Sequence, residues 1–286
     1  DSYQASLDWI EEEKYYKRLS TEEELAAYER MQARYLEGSK ERMELDRKVF
    51  TLRNQLVDES YQNSMDWIEK EKNYGRMSLA DELFIENCRD IIANGVSDEE
   101  CHVRPHWEDG TPAHTIKKFC IVNRYDLQKE FPIMTLRRVY YRSAIDEILW
   151  IYQKKSNRVA DLSSHIWDAW ADENGTIGKA YGYQLGVKHH YPEGDFDQVD
   201  KVLYDLKHDP NSRRIMTNTY NHADLSKMRL APCAYSMTFN VTGNRLNAIL
   251  NQRSQDMLAA NNWNVVQYLS LIHISEPTRL QLISYA

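Results

Sequence analysis

The chain has 286 residues, 42% of them hydrophobic, and a net charge of −8, so it is long enough for one sizeable core with additional segments. No apolar run approaches roughly 18 residues and no signal peptide begins the chain, so the sequence predicts neither membrane spanning nor secretion. The four cysteines lack Cys-x-x-Cys or zinc-type spacing, which favours a reduced setting. We therefore expect a cytoplasmic protein with neither a membrane nor a nucleic acid as partner.

The first predicted segment, residues 1–82, is strongly charged and contains an internal repeat. It carries 20 acidic and 13 basic side chains, and residues 2–11 recur as residues 60–69 at an offset of 58. Ser20 and Glu23 have the spacing of a helix-capping box. The pattern predicts long, exposed helices whose charges form a solvated face, with a specific partner-binding role as the alternative. The segment resembles the helical repeats of phage tail tape-measure proteins.

A second domain is predicted from residue 83 to residue 268. The second copy of the repeat fades after Leu83, and residues 84–92 begin a stretch of different composition. A natural domain fusion and an artificial join of two reading frames both fit this boundary. The artificial join is favoured because the repeat stops partway through its second unit.

The next segment, residues 103–111, is a polar, turn-rich loop that contains Arg104. Three histidines, His102, His106 and His114, lie in or beside it. Their surroundings offer no carboxylates or carbonyls arranged to orient them as metal ligands. We expect no metal site here.

Residues 143–151 have apolar side chains at helical spacing, with Glu147 among them. A carboxylate in that position lies either on the polar edge of the helix or is retained for proton transfer. Trp167 and Trp170 follow, and by default both are core aromatics. A further helix is predicted over residues 197–206.

A pair of arginines follows the turn-forming residues 209–212. Arg213 and Arg214 stand just before the strand-like residues 215–218. Two guanidinium forks at the end of a strand suit a phosphate group, and the alternative is a solvated edge.

A β-hairpin is predicted after Pro232. Residues 234–241 alternate polar with apolar side chains, and residues 246–254 read as the returning strand after a Gly-Asn turn. This hairpin brings Arg253 near Cys233. The side chains expected on the face of Cys233 are those of Tyr235, Met237, Phe239 and Val241.

Cys233 itself has two readings. A lone cysteine at the start of a strand is compatible with packing or with a nucleophilic role. An isolated thiol has a pKa of roughly 8.5, so a thiolate at neutral pH requires a nearby cation or helix N-terminus. Arg253 is the local candidate for that cation.

Four linked motifs together resemble thymidylate synthase of the bacterial type. They are Asp-Pro-Asn-Ser-Arg-Arg-Ile at residues 209–215, Leu-Ala-Pro-Cys ending at Cys233, Gln-Arg-Ser-Gln-Asp at residues 252–256, and Asn264. The order and spacing match the family, and the resemblance covers about residues 84–268. It implies an α+β class, the thymidylate synthase fold, in which a mixed β-sheet packs with helices. We expect that fold to be incomplete at its C-terminus and preceded by the helical repeat segment.

The resemblance also implies an activity, reductive methylation of dUMP to dTMP, with 5,10-methylenetetrahydrofolate donating the one-carbon unit and the hydride. A homodimer is implied, in which Arg213 and Arg214 reach the partner's site, and no metal is required. The catalytic residues implied are the nucleophile Cys233, with Glu147 and Tyr181. The substrate-binding residues implied are Arg104, Arg213, Arg214, Gln252, Arg253, Ser254, Asp256 and Asn264. The residues implied at the folate are Trp167, Trp170 and Asp256.

The last segment, residues 269–286, departs from the family. Residues 271–280 resemble the translated read-through of a sequencing adapter, so we expect a non-native tail in place of the family's C-terminal strands and lid. Without those pieces, activity is in question. The alternative function is therefore an inactive synthase remnant joined to a helical phage structural or assembly segment.

Overall fold

The computed structural model divides into two compact units. The residues that it describes are 2–15, 20–36, 38–72 and 77–275. Most of the first unit is residues 1–66, and most of the second is residues 67–272. The part of the expected tail that follows Ser275 lies outside the described residues.

The first unit is helical, as the repeat predicts. It contains α1 (Ser2–Tyr15), α2 (Thr21–Gln32) and the first part of α3 (Lys40–Lys72). The predicted capping box is confirmed: the Glu23 amide donates to the Ser20 hydroxyl, and the Ser20 amide donates to the Glu23 carboxylate at 2.8 Å. These bonds satisfy amide groups that the start of a helix otherwise leaves without partners.

The core of the first unit is a small apolar cluster drawn from its three helices. Apolar residues recur at helical spacing, so each helix presents one apolar stripe and leaves its charged side chains outside. The buried members of the cluster are Leu7, Ile10, Ala27, Tyr28, Met31, Leu45, Val49 and Leu52. This burial accounts for the stability of helices whose remaining surface is highly charged.

The second unit combines helices with short strands. Its helices are α4 (Leu79–Asn94), α5 (Tyr141–Tyr152), α6 (Gly182–Gly186), α7 (Gln198–His208) and α8 (Asn261–Ser275). Its strands are β1 (Val96–Ser97), β2 (Ile116–Lys117), β3 (His189–Tyr191), β4 (Gly194–Phe196), β5 (Met216–Asn218), β6 (Ala234–Thr242) and β7 (Arg245–Gln252). Within the part of the chain that the structure describes, no helix has the length and apolar character needed to cross a membrane.

The strands form three small sheets. β1 pairs with β2, β3 pairs with β4, and β5, β6 and β7 form a three-stranded sheet in that order. Every one of these pairings is antiparallel. The hairpin of β6 and β7 is confirmed, and Gly243 at its turn has φ of 64°, a conformation that glycine adopts without strain.

Two further predicted helices are confirmed. α5 buries Ile145, Ile148 and Trp150, and the Trp150 indole donates a hydrogen bond to the carbonyl of Arg158 at 3.0 Å. α7 begins after Asp197, whose carboxylate accepts hydrogen bonds from two amides of the first helical turn. A carboxylate at this position also interacts favourably with the helix dipole.

The buried carboxylate of Asp81 joins the start of α4 to a distant loop. It accepts hydrogen bonds from the Thr135 amide at 2.9 Å, the Thr135 hydroxyl at 2.6 Å and the Leu136 amide at 3.2 Å. It also accepts one from the Ser78 amide at 3.0 Å. Burial opposes its ionisation, but these hydrogen bonds outweigh burial and hold the pKa of Asp81 below its usual value.

We expect the Asp81→Ala variant to lose about 3 kcal/mol or more of unfolding free energy, because four hydrogen-bond donors lose the same buried acceptor together. Urea denaturation followed by tryptophan fluorescence measures the change. Glu82→Ala is the matched control, because Glu82 is exposed on the same turn and its loss is expected to cost less than about 0.5 kcal/mol. Equal shifts in the two variants would contradict the role given to Asp81.

Candidate active site

Cys233 lies immediately before β6, half-buried, with a guanidinium beside its sulfur. Nη2 of Arg253 is 3.7 Å from Sγ. Two backbone carbonyls hold this guanidinium in place, because Nε donates to Pro232 at 2.9 Å and Nη2 donates to Ala231 at 2.8 Å. The hairpin therefore places Arg253 beside Cys233, and a cation at this distance interacts favourably with a thiolate.

The strand after Cys233 contains a β-bulge that the alternating pattern did not predict. Ala234 pairs with Gln252, but Ser236 pairs with Asn251, so Tyr235 is an extra residue without a partner in the register. Met237 is buried directly after the buried Ser236, which breaks the alternation. The prediction that Cys233 shares one continuous face as far as Val241 is therefore wrong, because the bulge exchanges the two faces.

Tyr181 contacts Cys233 from a strained backbone position. The Cys233 amide donates to the Tyr181 hydroxyl at 3.2 Å, and the tyrosine ring lies 5.5 Å from the ring of Trp167. Tyr181 has φ of 44°, which a side chain other than glycine rarely adopts. Burial is the main cause that raises the pKa of its phenol above the usual value. The strain and the contact both indicate a positioned functional group.

Glu147 is buried on α5 between two indoles. Trp167 Nε1 donates to Oε1 at 2.6 Å, and Trp263 Nε1 donates to Oε2 at 2.5 Å. Burial raises the pKa of Glu147 to about 7, against the indole hydrogen bonds, which favour the charged form. Of the two positions that the sequence allowed for this carboxylate, the structure has the buried one, and a group titrating near pH 7 suits proton transfer.

A chain of side-chain amides connects Glu147 with the end of β7. Gln252 Nε2 donates to Asn264 Oδ1 at 3.2 Å, and Asn264 Nδ2 donates to Gln267 Oε1 at 3.0 Å. Gln267 in turn hydrogen-bonds to Glu147. The predicted residues Gln252, Asn264 and Glu147 thus belong to one polar network.

Two members of this network were not identified from the sequence. Trp263 adjoins the predicted Asn264, and Gln267 lies one helical turn after it on α8. The signal for Gln267 was its spacing of three residues from Asn264, which puts both side chains on one helix face. No local signal connected Trp263 with Glu147.

The two predicted folate tryptophans differ in exposure. Trp167 is buried, whereas Trp170 is 41% exposed, and their rings are 5.6 Å apart. Trp150 extends the cluster behind Trp167, at 6.2 Å. Trp170 therefore presents an aromatic surface that a planar ligand can contact, while Trp167 supports it and hydrogen-bonds Glu147.

Asp256 and Ser254 follow β7 at the surface. One carboxylate oxygen of Asp256 accepts hydrogen bonds from the amides of Leu258 at 2.8 Å and Ala259 at 2.7 Å. Asp256 therefore stabilises the turn that leads into α8. Ser254 is exposed beside it.

The remaining predicted arginines, Arg104, Arg213 and Arg214, are exposed. Arg213 and Arg214 precede the buried Ile215, whose carbonyl accepts a hydrogen bond from the Phe239 amide at 2.8 Å. Phe239 is six residues along β6 from Cys233, or roughly 20 Å of extended strand. The structure therefore does not bring this pair to Cys233 of the same chain.

The three histidines of the 102–114 region occupy loops. His102 and His106 are exposed, and His114 Nδ1 lies 3.3 Å from Asp98 Oδ1. Among the described residues, no group of three or more His, Cys, Asp or Glu side chains is arranged to hold a metal ion.

Comparisons with known proteins agree with one another. The family model described as thymidylate synthase matches residues 82–280. The thymidylate synthase of Bacillus subtilis subsp. natto is 46% identical over 197 residues, covering 67% of this chain and 70% of the relative. The thymidylate synthase of Bacillus phage phi3T is 45% identical with the same coverage. The solved structure of thermostable thymidylate synthase A from Bacillus subtilis has a TM-score of 0.67 and 41% identity, covering 72% of this chain and 76% of that one.

Proposed function

Because this chain belongs to the thymidylate synthase family of methyltransferases, we propose that it converts dUMP to dTMP through a covalent adduct on Cys233. The observation that carries the proposal is the guanidinium of Arg253 beside the Cys233 sulfur, at 3.7 Å. C5 of uracil is a poor nucleophile. Addition of a thiolate at the neighbouring C6 makes C5 electron-rich and able to attack an electrophilic carbon. The co-substrate, 5,10-methylenetetrahydrofolate, supplies that carbon and then a hydride.

Glu147 and Tyr181 serve the proton transfers in this proposal. The Glu147 pKa of about 7 allows the carboxyl group to give or take a proton near neutral pH. Tyr181 lies against the Cys233 amide and keeps the start of β6 in a fixed position. The amide network from Glu147 through Gln267 gives ordered donors and acceptors around the ring.

Asn264 and Gln252 recognise the uracil edge. A side-chain amide both donates and accepts hydrogen bonds, so it matches uracil and leaves polar groups unpaired against cytosine. Their mutual hydrogen bond at 3.2 Å fixes the orientation of both amides. Trp167, Trp170 and Asp256 form the folate side of the site, where the exposed face of Trp170 supports stacking.

Arginines hold the phosphate of the nucleotide. Arg104, Arg253 and Ser254 come from the same chain, and Arg213 and Arg214 come from a second subunit. The distance of roughly 20 Å along β6 supports this division, because an arginine side chain cannot span it. A homodimer follows, with each site completed by its partner.

We expect 5-fluoro-dUMP and methylenetetrahydrofolate together to add one nucleotide and one folate to the chain. The fluorine replaces the proton that must leave C5, so the covalent complex accumulates. Intact-mass spectrometry detects the complex, and digestion assigns it to the peptide that contains Cys233. Cys101→Ala, which removes an exposed cysteine outside the site, is the matched control and keeps the adduct. A chain that is folded by circular dichroism and gains no mass contradicts the proposal and supports the inactive remnant.

A further inference from the structure

α1 is held on α2 and α3 by an apolar stripe. Leu7 and Ile10 are 7% and 1% exposed, and they belong to the core cluster with Tyr28, Met31 and Leu45. The two side chains lie on one face of α1, because residues three apart in a helix are neighbours. We call the surface of α2 and α3 that contacts Leu7 and Ile10 the α1 groove.

Polar contacts fix the register of α1 in this groove. The Tyr3 hydroxyl donates to the Glu44 carboxylate at 3.2 Å, and Lys14 Nζ lies 2.8 Å from Glu24 Oε1. Glu11 accepts a hydrogen bond from the hydroxyl of a tyrosine on α2 at 3.2 Å. α1 therefore uses five side chains, two apolar and three polar, to occupy the groove.

All five side chains recur 58 residues later, in the second copy of the repeat. Their counterparts are Tyr61, Met65, Ile68, Glu69 and Lys72. Four are identical to the α1 residues, and the fifth replaces Leu7 with methionine, a swap that conserves volume and is well tolerated in cores. Residues 60–72 therefore carry the sequence that the α1 groove accepts.

The second copy cannot reach the groove of its own chain. It is the C-terminal part of α3, which runs as one helix over Lys40–Lys72 and forms a wall of that groove. Leu52 is the last residue of α3 in the core cluster, and Met65 lies 13 residues further, or about 20 Å along the helix axis. A continuous helix does not fold back on itself, so only the groove of another chain is accessible.

We propose that residues 60–72 of one copy of this protein bind the α1 groove of a second copy, in place of α1. The exchange replaces one set of contacts with the same set, so it costs little free energy and is favoured by increasing protein concentration, as in domain swapping. The interaction is separate from the proposed catalysis and does not depend on it. It gives the helical segment a partner, a second copy of this chain.

Isotope-coded cross-linking tests the proposal on the full chain. Unlabelled and nitrogen-15-labelled protein are mixed, incubated and treated with a lysine-reactive cross-linker. In the docked segment Lys72 takes the place of Lys14, one turn from the Glu11 position that Lys48 contacts at 3.4 Å. We expect cross-links between Lys72 of one isotope and Lys48 of the other, increasing with protein concentration.

Equivalent substitutions in the two copies of the repeat are expected to change the cross-linking in opposite directions. Ile68→Asp puts a charged side chain at the position equivalent to the buried Ile10, and we expect the mixed-isotope cross-links to fall at least about tenfold. Ile10→Asp makes the same change in α1, weakens its hold on the groove and is expected to increase them. Met65→Asp repeats the first test one turn away, and circular dichroism verifies that each variant keeps its helices. Absence of mixed cross-links in the parent, or their persistence in both Ile68→Asp and Met65→Asp, overturns the proposal.

Discussion

Alanine at position 233 is expected to lower turnover by at least about 10⁴-fold, because it removes the thiolate that adds to C6 in the proposed reaction. Serine at this position is expected to do nearly the same, since a hydroxyl is far less acidic than a thiol and forms little oxyanion at neutral pH. Turnover is measured as dUMP-dependent formation of dihydrofolate. The variants are also expected to form no adduct with 5-fluoro-dUMP.

Measurements of stability distinguish the nucleophilic role of Cys233 from the packing role that is also compatible with the sequence. Cys233 is half-buried, so truncating its small side chain is expected to change the unfolding free energy by less than about 1 kcal/mol. A packing residue has the opposite profile, with a clear loss of stability and normal turnover per folded molecule. Retained turnover in folded Cys233→Ala protein is the result that would refute the nucleophilic role.

The position of Arg253 also supports a nucleophilic role for Cys233. Its guanidinium is held by the carbonyls of Ala231 and Pro232, so its position does not depend on a bound ligand. The two carbonyl contacts therefore preorganise the cation beside the Cys233 sulfur. In the proposed reaction the same arginine serves both the sulfur and the nucleotide phosphate.

Local sequence signals identified much of the fold. The hairpin, the helix predicted over residues 197–206 and the Ser20 capping box each depend on residues only a few positions apart, so their geometry follows from turn, helix and capping chemistry. The proximity of Arg253 to Cys233 followed from the hairpin for the same reason. The family resemblance supplied the overall fold, which periodicity alone does not specify.

Contacts between residues far apart in the sequence could not be predicted from local sequence patterns. Trp263 and Glu147 are 116 positions apart, and Asp81 and Thr135 are 54 apart, so no periodic pattern relates them. The bulge at Tyr235 is one added residue in a strand, and nothing in the alternation marks it. Each of these features depends on tertiary packing, which decides where buried polar groups find partners.

Asp81 also bears on where the second domain begins. The sequence places residues 1–82 together because the repeat continues to Leu83. In the structure, however, Ser78 hydrogen-bonds to Ile133 and Asp81 to Thr135, all within the second unit. The same Ser-x-x-acid pattern that caps α2 caps α4, so one local signal serves two units. The unit boundary at residue 66 thus precedes the end of the repeat pattern.

Glutamine at position 147 is expected to lower kcat by about 10²–10⁴-fold, the range typical of a lost acid-base group. Glutamine preserves the size of the side chain and can still accept a hydrogen bond from one indole, so the fold is expected to remain. The control is Asp146→Asn on the same helix, a carboxylate that accepts a hydrogen bond from the Ser163 amide and whose charge is only a minor cause of the raised Glu147 pKa, and this variant is expected to retain most activity. Normal kcat in Glu147→Gln would remove the carboxyl group from the mechanism.

The free energy of unfolding is expected to depend on pH through the ionisation of Glu147. Its pKa of about 7 lies above the ordinary value of 4.5, so between these pH values the folded protein binds a proton that the unfolded chain has released. The contribution of Glu147 to stability is therefore present below about pH 4.5 and is lost as the pH rises through about 7. Glu147→Gln is expected to flatten this part of the stability profile, measured by urea denaturation across pH 4–8.

The Trp263→Phe variant is expected to shift the pKa of Glu147 upward. The indole of Trp263 donates to Glu147 and favours the charged carboxylate, so its removal raises the pKa of Glu147 further. The inflection near pH 7 in a plot of kcat against pH is expected to move to higher pH in Trp263→Phe and to vanish in Glu147→Gln. An inflection that stays fixed in both variants belongs to another group. A shift in the first and loss in the second would mean that a tryptophan outside the recognised motifs sets the working pH of the site.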